Sequence, residues 1–165
     1  MLAEFAVGRA GTTIATTLYA MSGGDPYDLQ RFLDAQDGVW DVAAQELRAG
    51  RKQTHWMWFI FPQIHGLGAS AMAQRYAIAS LEEARAYVSH PVLGSRLIEC
   101  TRLVNEIEER TIEEILGYPD YLKFHSSLTL FAHVIPTNPV FALALRNHFR
   151  GQFDPGTIKQ LSSIE

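Results

Sequence analysis

The chain has little of what would mark it as a disulfide-bonded, nucleic-acid-binding or membrane-spanning protein. Cys100 is its only cysteine, so neither an intramolecular disulfide nor a cysteine-based zinc site can form. Its 14 Lys and Arg residues are outnumbered by 18 Asp and Glu, and binding to duplex nucleic acid or an anionic membrane requires clustered cations. No apolar run approaches the roughly 20 residues of a membrane helix. We therefore expect no duplex nucleic acid and no membrane as partners.

What the chain does contain is typical of a folded protein. Hydrophobic residues make up 47% and charged residues 19%, which argues against disorder. A single reduced thiol suits a cytoplasmic location. Residues 1–24 differ from the rest, because threonines dilute a stretch of small residues, and we interpret them as a leader with few contacts to the core rather than a signal peptide. Residues 25–163 are predicted to form one domain.

The signals for helix starts recur along this domain. Cap-plus-proline pairs, a lone capping Asp and S/T-x-x-E capping boxes are typical of helix N-termini. Residues 91–108 carry an apolar stripe at helical spacing that predicts Leu97 and Val104 as core, and Phe124, Leu128 and Phe131 form another such stripe. These patterns predict an all-α fold, a compact bundle of about six to eight helices without a sheet of three or more strands. The predicted helix starts are Asp25-Pro26, Asp37, Ser80 with Glu83, Thr111 with Glu114, Asn138-Pro139 and Asp154-Pro155.

The continuous apolar run HWMWFIF, from His55 to Phe61, fits either a buried helix or a buried strand. Its aromatic residues favour a strand, but no second convincing strand exists to pair with it. We therefore predict a helix.

The same run lies in the segment RKQTHWMWFIFPQIHGLGAS, residues 51–70, which concentrates aromatic, basic and polar residues. Aromatic residues at helical spacing are usually core, and that interpretation is open here. The functional alternative is a pocket with aromatic walls in which Lys52 binds an anionic group and His55 or Gln63 provides polar recognition. The turn HGLGAS could also offer backbone N–H groups to an anion, although a tight connection that needs positive φ is the usual explanation for such glycines.

A second informative segment is DYLKFHSSLTLF, residues 120–131. Serine and threonine are mediocre helix formers, so Ser126 and Ser127 within an apolar helix indicate either close packing or contact with a ligand. Lys123 and Ser127 could form a base and a nucleophile, but their order is reversed from the S-x-x-K motif and no oxyanion element is evident. Thr129 is expected to lie apart from the serines.

The six histidines show no ligand spacing of the HExxH type, so we predict no metal site. No dinucleotide or Walker motif is present, and no cofactor is indicated.

Three segments in this order resemble the bacterial family catalogued as domain of unknown function 1810. They are RAGRKQTHWMWFIFPQIHGLGAS, YAIASLEEARAYVSHPVLGSRL and LKFHSSLTLFA, and the resemblance extends from Asp25 to Leu161. It implies a mainly helical fold and no accepted activity. Some members carry the label calpastatin, which nothing in these residues supports. Family members often have an acidic residue directly before the Leu-Lys pair, where this chain has Tyr121, with Asp120 one position earlier.

Two interpretations of function remain open beside a third, nucleic-acid binding, which the acidic charge balance favours least. The first is a pocket for a small anionic ligand, phosphate-bearing or nucleotide-like, and the residues do not decide whether such a ligand would be a substrate. The second is a protein–protein interaction module without catalysis, in which aromatic residues act as anchors. The oligomeric state is not indicated. The candidate ligand-binding residues are Lys52, His55, Trp56, Trp58, Gln63, Lys123, Ser126, Ser127 and Thr129.

Overall fold

The computed structural model describes residues 23–165, in which the regular structure is helical apart from one isolated bridge. The predicted all-α fold is confirmed, although these residues form ten helices rather than six to eight because several connections contain a short helix. Most of the predicted leader, residues 1–22, lies outside the described part. The helices are α1 Gln30–Gln36, α2 Trp40–Arg48, α3 Met57–Ile60, α4 Ala71–Arg75, α5 Leu81–Ser89, α6 Leu93–Asn105, α7 Ile112–Leu116, α8 Asp120–Val134, α9 Pro139–Phe149 and α10 Pro155–Ile164.

Most of the predicted helix caps form. The side chains of Ser80, Thr111, Asn138 and Asp154 each accept a hydrogen bond from a backbone N–H in the first turn, and Thr111 with Glu114 makes a complete capping box. The prediction for Asp37 was wrong. It follows the last turn of α1, while α2 begins after Val39 without a side-chain cap, since the chain turns through Gly38 before the helix starts.

The segment from His55 to Phe61 is only partly the helix we predicted. It contains the single turn of α3, after which the chain extends to a parallel bridge between Ile64 and Ile78. Pro62 explains the early end, because proline disfavours helical geometry at the preceding residue. Phe61 accordingly has φ −122° and ψ 71°.

The core forms around α8, which contacts α3, α5, α7, α9 and α10, and around α6, which contacts α2, α3, α5 and α9. The five predicted core positions are confirmed, since each is at most 1% exposed. The turn between α5 and α6 depends on a close approach: a Cβ atom at Gly94 would lie 1.9 Å from the Val88 carbonyl oxygen. The confirmed core residues are Leu97, Val104, Phe124, Leu128 and Phe131.

Cys100 lies on α6 with no exposed surface, beside Trp40 of the packed helix α2. Burial away from water raises the pKa of its thiol to about 12. Of the helices between residues 23 and 165, none combines the length and apolar character needed to cross a bilayer.

We expect Leu97→Ala to lower the free energy of unfolding by about 2–5 kcal/mol, because it removes buried methyl groups and leaves a cavity. Leu143→Ala, at a position that is 40% exposed, is the matched control and should cost about 0.5 kcal/mol or less. Urea denaturation followed by circular dichroism measures both changes. Equal costs at the two sites would contradict the core assignment.

Candidate functional site

The turn between α2 and α3 is held by the carboxylate of Glu46. This group accepts hydrogen bonds from the backbone N–H of Gln53 at 2.9 Å and of Thr54 at 3.2 Å. It also accepts from the Thr54 hydroxyl at 2.7 Å and from the indole N–H of Trp56 at 2.8 Å. Burial opposes ionisation of Glu46, but these hydrogen bonds outweigh it and lower its pKa. Glu46, on α2, thus fixes the first of the two candidate segments, residues 51–70; the second is residues 120–131.

A second carboxylate joins the two candidate segments. Asp120, the first residue of α8, lies 2.7 Å from the Lys52 ammonium through Oδ2 and 3.2 Å from the Lys123 ammonium through Oδ1. The Lys52 side chain is only 6% exposed and also donates to the Thr54 carbonyl oxygen. Two cations share one anion, so the cluster formed by Lys52, Asp120 and Lys123 has a formal charge of +1.

Both lysines also lie over tryptophan rings. The Lys52 ammonium is 5.0 Å from the ring centroid of Trp56, and the Lys123 ammonium is 4.8 Å from that of Trp58. These distances are within the range of cation–π attraction. Trp56 has no exposed surface, because its ring packs inward while its N–H donates to Glu46, so Trp56 cannot offer a face to a ligand. Trp58 is half-buried, and its indole N–H has no partner among the described residues.

Two other candidate residues serve a different purpose. Ser126 donates to a carboxylate oxygen of Asp154 at 3.1 Å, and the Asp154 backbone N–H donates to the Thr129 hydroxyl at 2.9 Å. The same Asp154 oxygen accepts from the backbone N–H and the hydroxyl of Thr157, so that Asp154 caps the N-terminus of α10. Ser126 and Thr129 therefore act together to attach α10 to α8, and the expectation that Thr129 lies apart from the serines was wrong for Ser126.

Ser127 differs from its neighbours. Ser126 and Thr129 donate to the carbonyl oxygens four residues earlier, whereas the Ser127 hydroxyl is buried without a partner among residues 23–165. It lies one helical turn after Lys123, on the same face of α8. The remaining candidates, His55 and Gln63, are exposed and half-buried, and their side chains make no hydrogen bond within the described part.

Two cavities of about 780 and 580 Å³ lie elsewhere in the described structure. The larger is formed by the ends of α6 and α9 and the start of α7, and the smaller by α1, α4 and α5. Neither is lined by any of the nine candidate residues. Residues 23–165 contain no cluster of three or more His, Cys, Asp or Glu side chains arranged to hold a metal ion.

Comparison with known proteins adds a family and a solved relative. A model of the family described as "Protein of unknown function (DUF1810)" matches residues 26–161. The chain belongs to this family. A crystal structure of the conserved hypothetical protein Rv1873 from Mycobacterium tuberculosis is 53% identical, with a TM-score of 0.82 over 84% of this chain and 99% of that chain. No curated protein matches.

Within this family member, the residues that organise the site are acids that the sequence patterns did not single out. Glu46 looks like any surface residue of an amphipathic helix, and Asp154 was recognised only as a helix cap. Asp120 takes the place expected for an acidic residue one position later. From the start of α8 its carboxylate contacts both Lys52 and Lys123.

We expect Glu46→Gln to lower the free energy of unfolding by about 1–3 kcal/mol at neutral pH, because a neutral amide replaces a carboxylate that accepts several hydrogen bonds. Since the pKa of Glu46 is lowered by folding, its contribution is present above the ordinary value of 4.5 and is lost as the pH falls through the folded-state pKa. The wild-type advantage should therefore shrink in acid. Glu109→Gln, an exposed position, is the control, and a pH-independent difference would contradict this assignment.

The pair of Lys52 and Asp120 should show coupling in a double-mutant cycle of Lys52→Met and Asp120→Asn. We expect about 1–3 kcal/mol, because each single variant leaves a partly buried charge without its partner. Thermal or urea unfolding measures the four proteins. The exposed pair of Arg85 and Glu82, 3.8 Å apart, provides a reference cycle expected below about 1 kcal/mol. Coupling no larger than in this reference would show that Asp120 does not join the two segments energetically.

Proposed function

We propose that the chain binds a small phosphate-bearing, nucleotide-like ligand on the surface formed by Trp58 and Lys123, from which the ligand also reaches the buried hydroxyl of Ser127. The observation that supports this proposal is the meeting of the two candidate segments at Trp58 and Lys123, 4.8 Å apart. Trp56, Lys52, Ser126 and Thr129 are engaged in holding the structure, so the proposed contacts are fewer than the sequence predicted.

The charge of the cluster favours an anion. Lys52 is nearly buried and its donors are directed at Asp120, Thr54 and the Trp56 ring. Lys123 is 22% exposed and donates one hydrogen bond, to Asp120, so it retains N–H groups for a ligand. A phosphate or carboxylate group would neutralise the formal charge of +1, and a charge-assisted hydrogen bond of this kind is stronger than a neutral one.

The uncharged groups of this surface favour a ligand with an aromatic part. The indole of Trp58 offers both an N–H donor and a flat apolar ring, and such rings bind the faces of nucleobases. Ser127 adds a hydroxyl whose burial without a partner costs about 1–3 kcal/mol. The proposal requires the Lys123 side chain, one helical turn earlier, to move so that a ligand reaches this hydroxyl. This surface thus combines an anion contact, a stacking surface and an unused polar group.

A specific observation also supports the alternative of a protein-interaction module. Tyr118 is 80% exposed and Leu122 is 45% exposed, and both lie close in sequence to Asp120 and Lys123. Exposed aromatic and aliphatic residues beside a cation are suited to anchor a partner protein. The two proposals share Lys123 and differ in whether Tyr118 and Leu122 are needed.

Thermal-shift measurements with ADP, AMP and inorganic pyrophosphate test the ligand proposal. A ligand present at 100 times its Kd stabilises the folded state by about 2.7 kcal/mol, which should raise Tm by about 5 °C or more. Lys123→Gln should abolish the shift by removing the cation. Ser127→Ala should reduce the shift while raising the Tm of the free protein, because it removes an unpaired hydroxyl.

Lys159→Gln, at an exposed position of α10, is the control for lost charge and should respond like wild type. The double variant Tyr118→Ala/Leu122→Ala should also keep the ligand response. The proposal fails if none of the three compounds stabilises the wild type, or if the shift persists in Lys123→Gln. Either result would leave the interaction module as the better account of this surface.

A further inference from the structure

The cavity of about 580 Å³ between α1, α4 and α5 is separate from the Lys123 surface and has a different construction. Its volume is within the range of small-ligand sites, roughly 300–1,000 Å³. Its lining includes two arginines, Arg31 and Arg75, together with His65 from the HGLGAS turn. The two arginines play opposite parts, and that difference indicates what the cavity can bind.

Arg31 is completely engaged. Its guanidinium donates to the carbonyl oxygens of Tyr27, Asp28, Arg75 and Ala77 and to the carboxylate of Glu83 at 2.6 Å. These five bonds use all five of its N–H groups. Arg31 therefore has no donor left for a ligand, and its charge is balanced by Glu83. Arg31 instead holds the backbone that lines the cavity, because its guanidinium nitrogens lie 3.0 Å from the carbonyl oxygen of Arg75 and 3.0 Å from that of Ala77.

Arg75 and His65 are not engaged in this way. The Arg75 guanidinium lies 5.5 Å from the Tyr76 ring centroid, and no carboxylate between residues 23 and 165 is within 4.0 Å of it. The His65 ring has no hydrogen-bond partner in the same part of the chain, although its backbone N–H donates to the Ile78 carbonyl oxygen at 2.8 Å. The backbone of each residue is therefore fixed while its basic side chain is free.

The cavity lining also contains neutral donors and acceptors. The Ser80 hydroxyl accepts from the Glu83 backbone N–H and keeps its own hydrogen for donation. The carboxylate of Asp28 and the side-chain carbonyl oxygen of Gln74 accept no hydrogen bond from the described residues. The cavity thus has basic donors that suit an anion and separate acceptors that suit hydroxyl groups.

We propose that this cavity is a second anion site, in which Arg75 and His65 bind a phosphate monoester whose hydroxyl groups donate to Asp28 and Gln74. In this proposal the HGLGAS turn, residues 65–70, does not bind an anion through its backbone N–H groups. Helix α4 has only five residues, and the backbone N–H of Ala73 in its first turn already donates to Ser70. The turn contributes the side chain of His65 rather than a cradle of N–H groups.

Titration of the ¹⁵N-labelled protein with glycerol 3-phosphate, followed by NMR, tests this site directly. We expect saturable shifts of the amide signals of His65, Arg75, Ala77 and Ser80. Arg75→Gln should weaken binding at least about 10-fold, because a bidentate guanidinium contact to phosphate is lost. His65→Asn should weaken it by a smaller factor. Arg75 is exposed and is bonded through its carbonyl, so the variant keeps the contacts of the fold.

Arg85→Gln removes an exposed arginine from the neighbouring helix α5 and should leave the affinity unchanged. Lys123→Gln should do the same, which separates this site from the ligand surface proposed above. Inorganic phosphate should bind more weakly than glycerol 3-phosphate, because it lacks the hydroxyl-bearing part. The proposal is overturned if Arg75→Gln binds like wild type, if Arg85→Gln weakens binding equally, or if inorganic phosphate binds as tightly.

Discussion

The contact of the Asp120 carboxylate with the ammonium groups of Lys52 and Lys123 holds the segment before α3 against α8 at the candidate site. Removing three charged groups from water costs free energy, and mutual attraction offsets that cost only where the geometry is close. The carboxylate achieves this by using a separate oxygen for each lysine, at 2.7 and 3.2 Å. Because Lys52 precedes α3 and Lys123 lies on α8, the contact sets how these helices approach each other. It thereby brings Trp58 beside Lys123.

Glu46 extends this arrangement toward α2. Its carboxylate organises the turn that carries Lys52, and its bond to the Trp56 indole directs that ring into the core under the Lys52 ammonium. The backbone N–H of Lys52 adds a bond of 2.7 Å to the Ile115 carbonyl oxygen, which anchors the turn to α7. One short segment is thus connected to three helices by polar contacts, and the hydrophobic core is completed around it.

The parts of this structure that could be predicted from sequence are those specified by local rules. Ser80, Thr111, Asn138 and Asp154 cap helices because the cap interaction spans only two or three residues. The apolar stripes identified Leu97 and Phe131 as core for the same reason. Contacts between distant segments were not specified by any pattern. Nothing local distinguishes Ser126, which reaches Asp154, from Ser127, which reaches no partner among residues 23–165. That difference depends on which element packs opposite each residue.

The burial of Cys100 gives the protein a reporter of its own motion. The thiol lies where α2 packs against α6, and its pKa of about 12 leaves almost no thiolate at neutral pH. A thiol reagent can therefore react only when these helices separate and the sulfur reaches water. Because the chain has a single cysteine, every labelling event reports the exposure of the same sulfur. The labelling rate of the native protein would therefore follow the openings, local or global, that expose the contact of α2 with α6, without added probes.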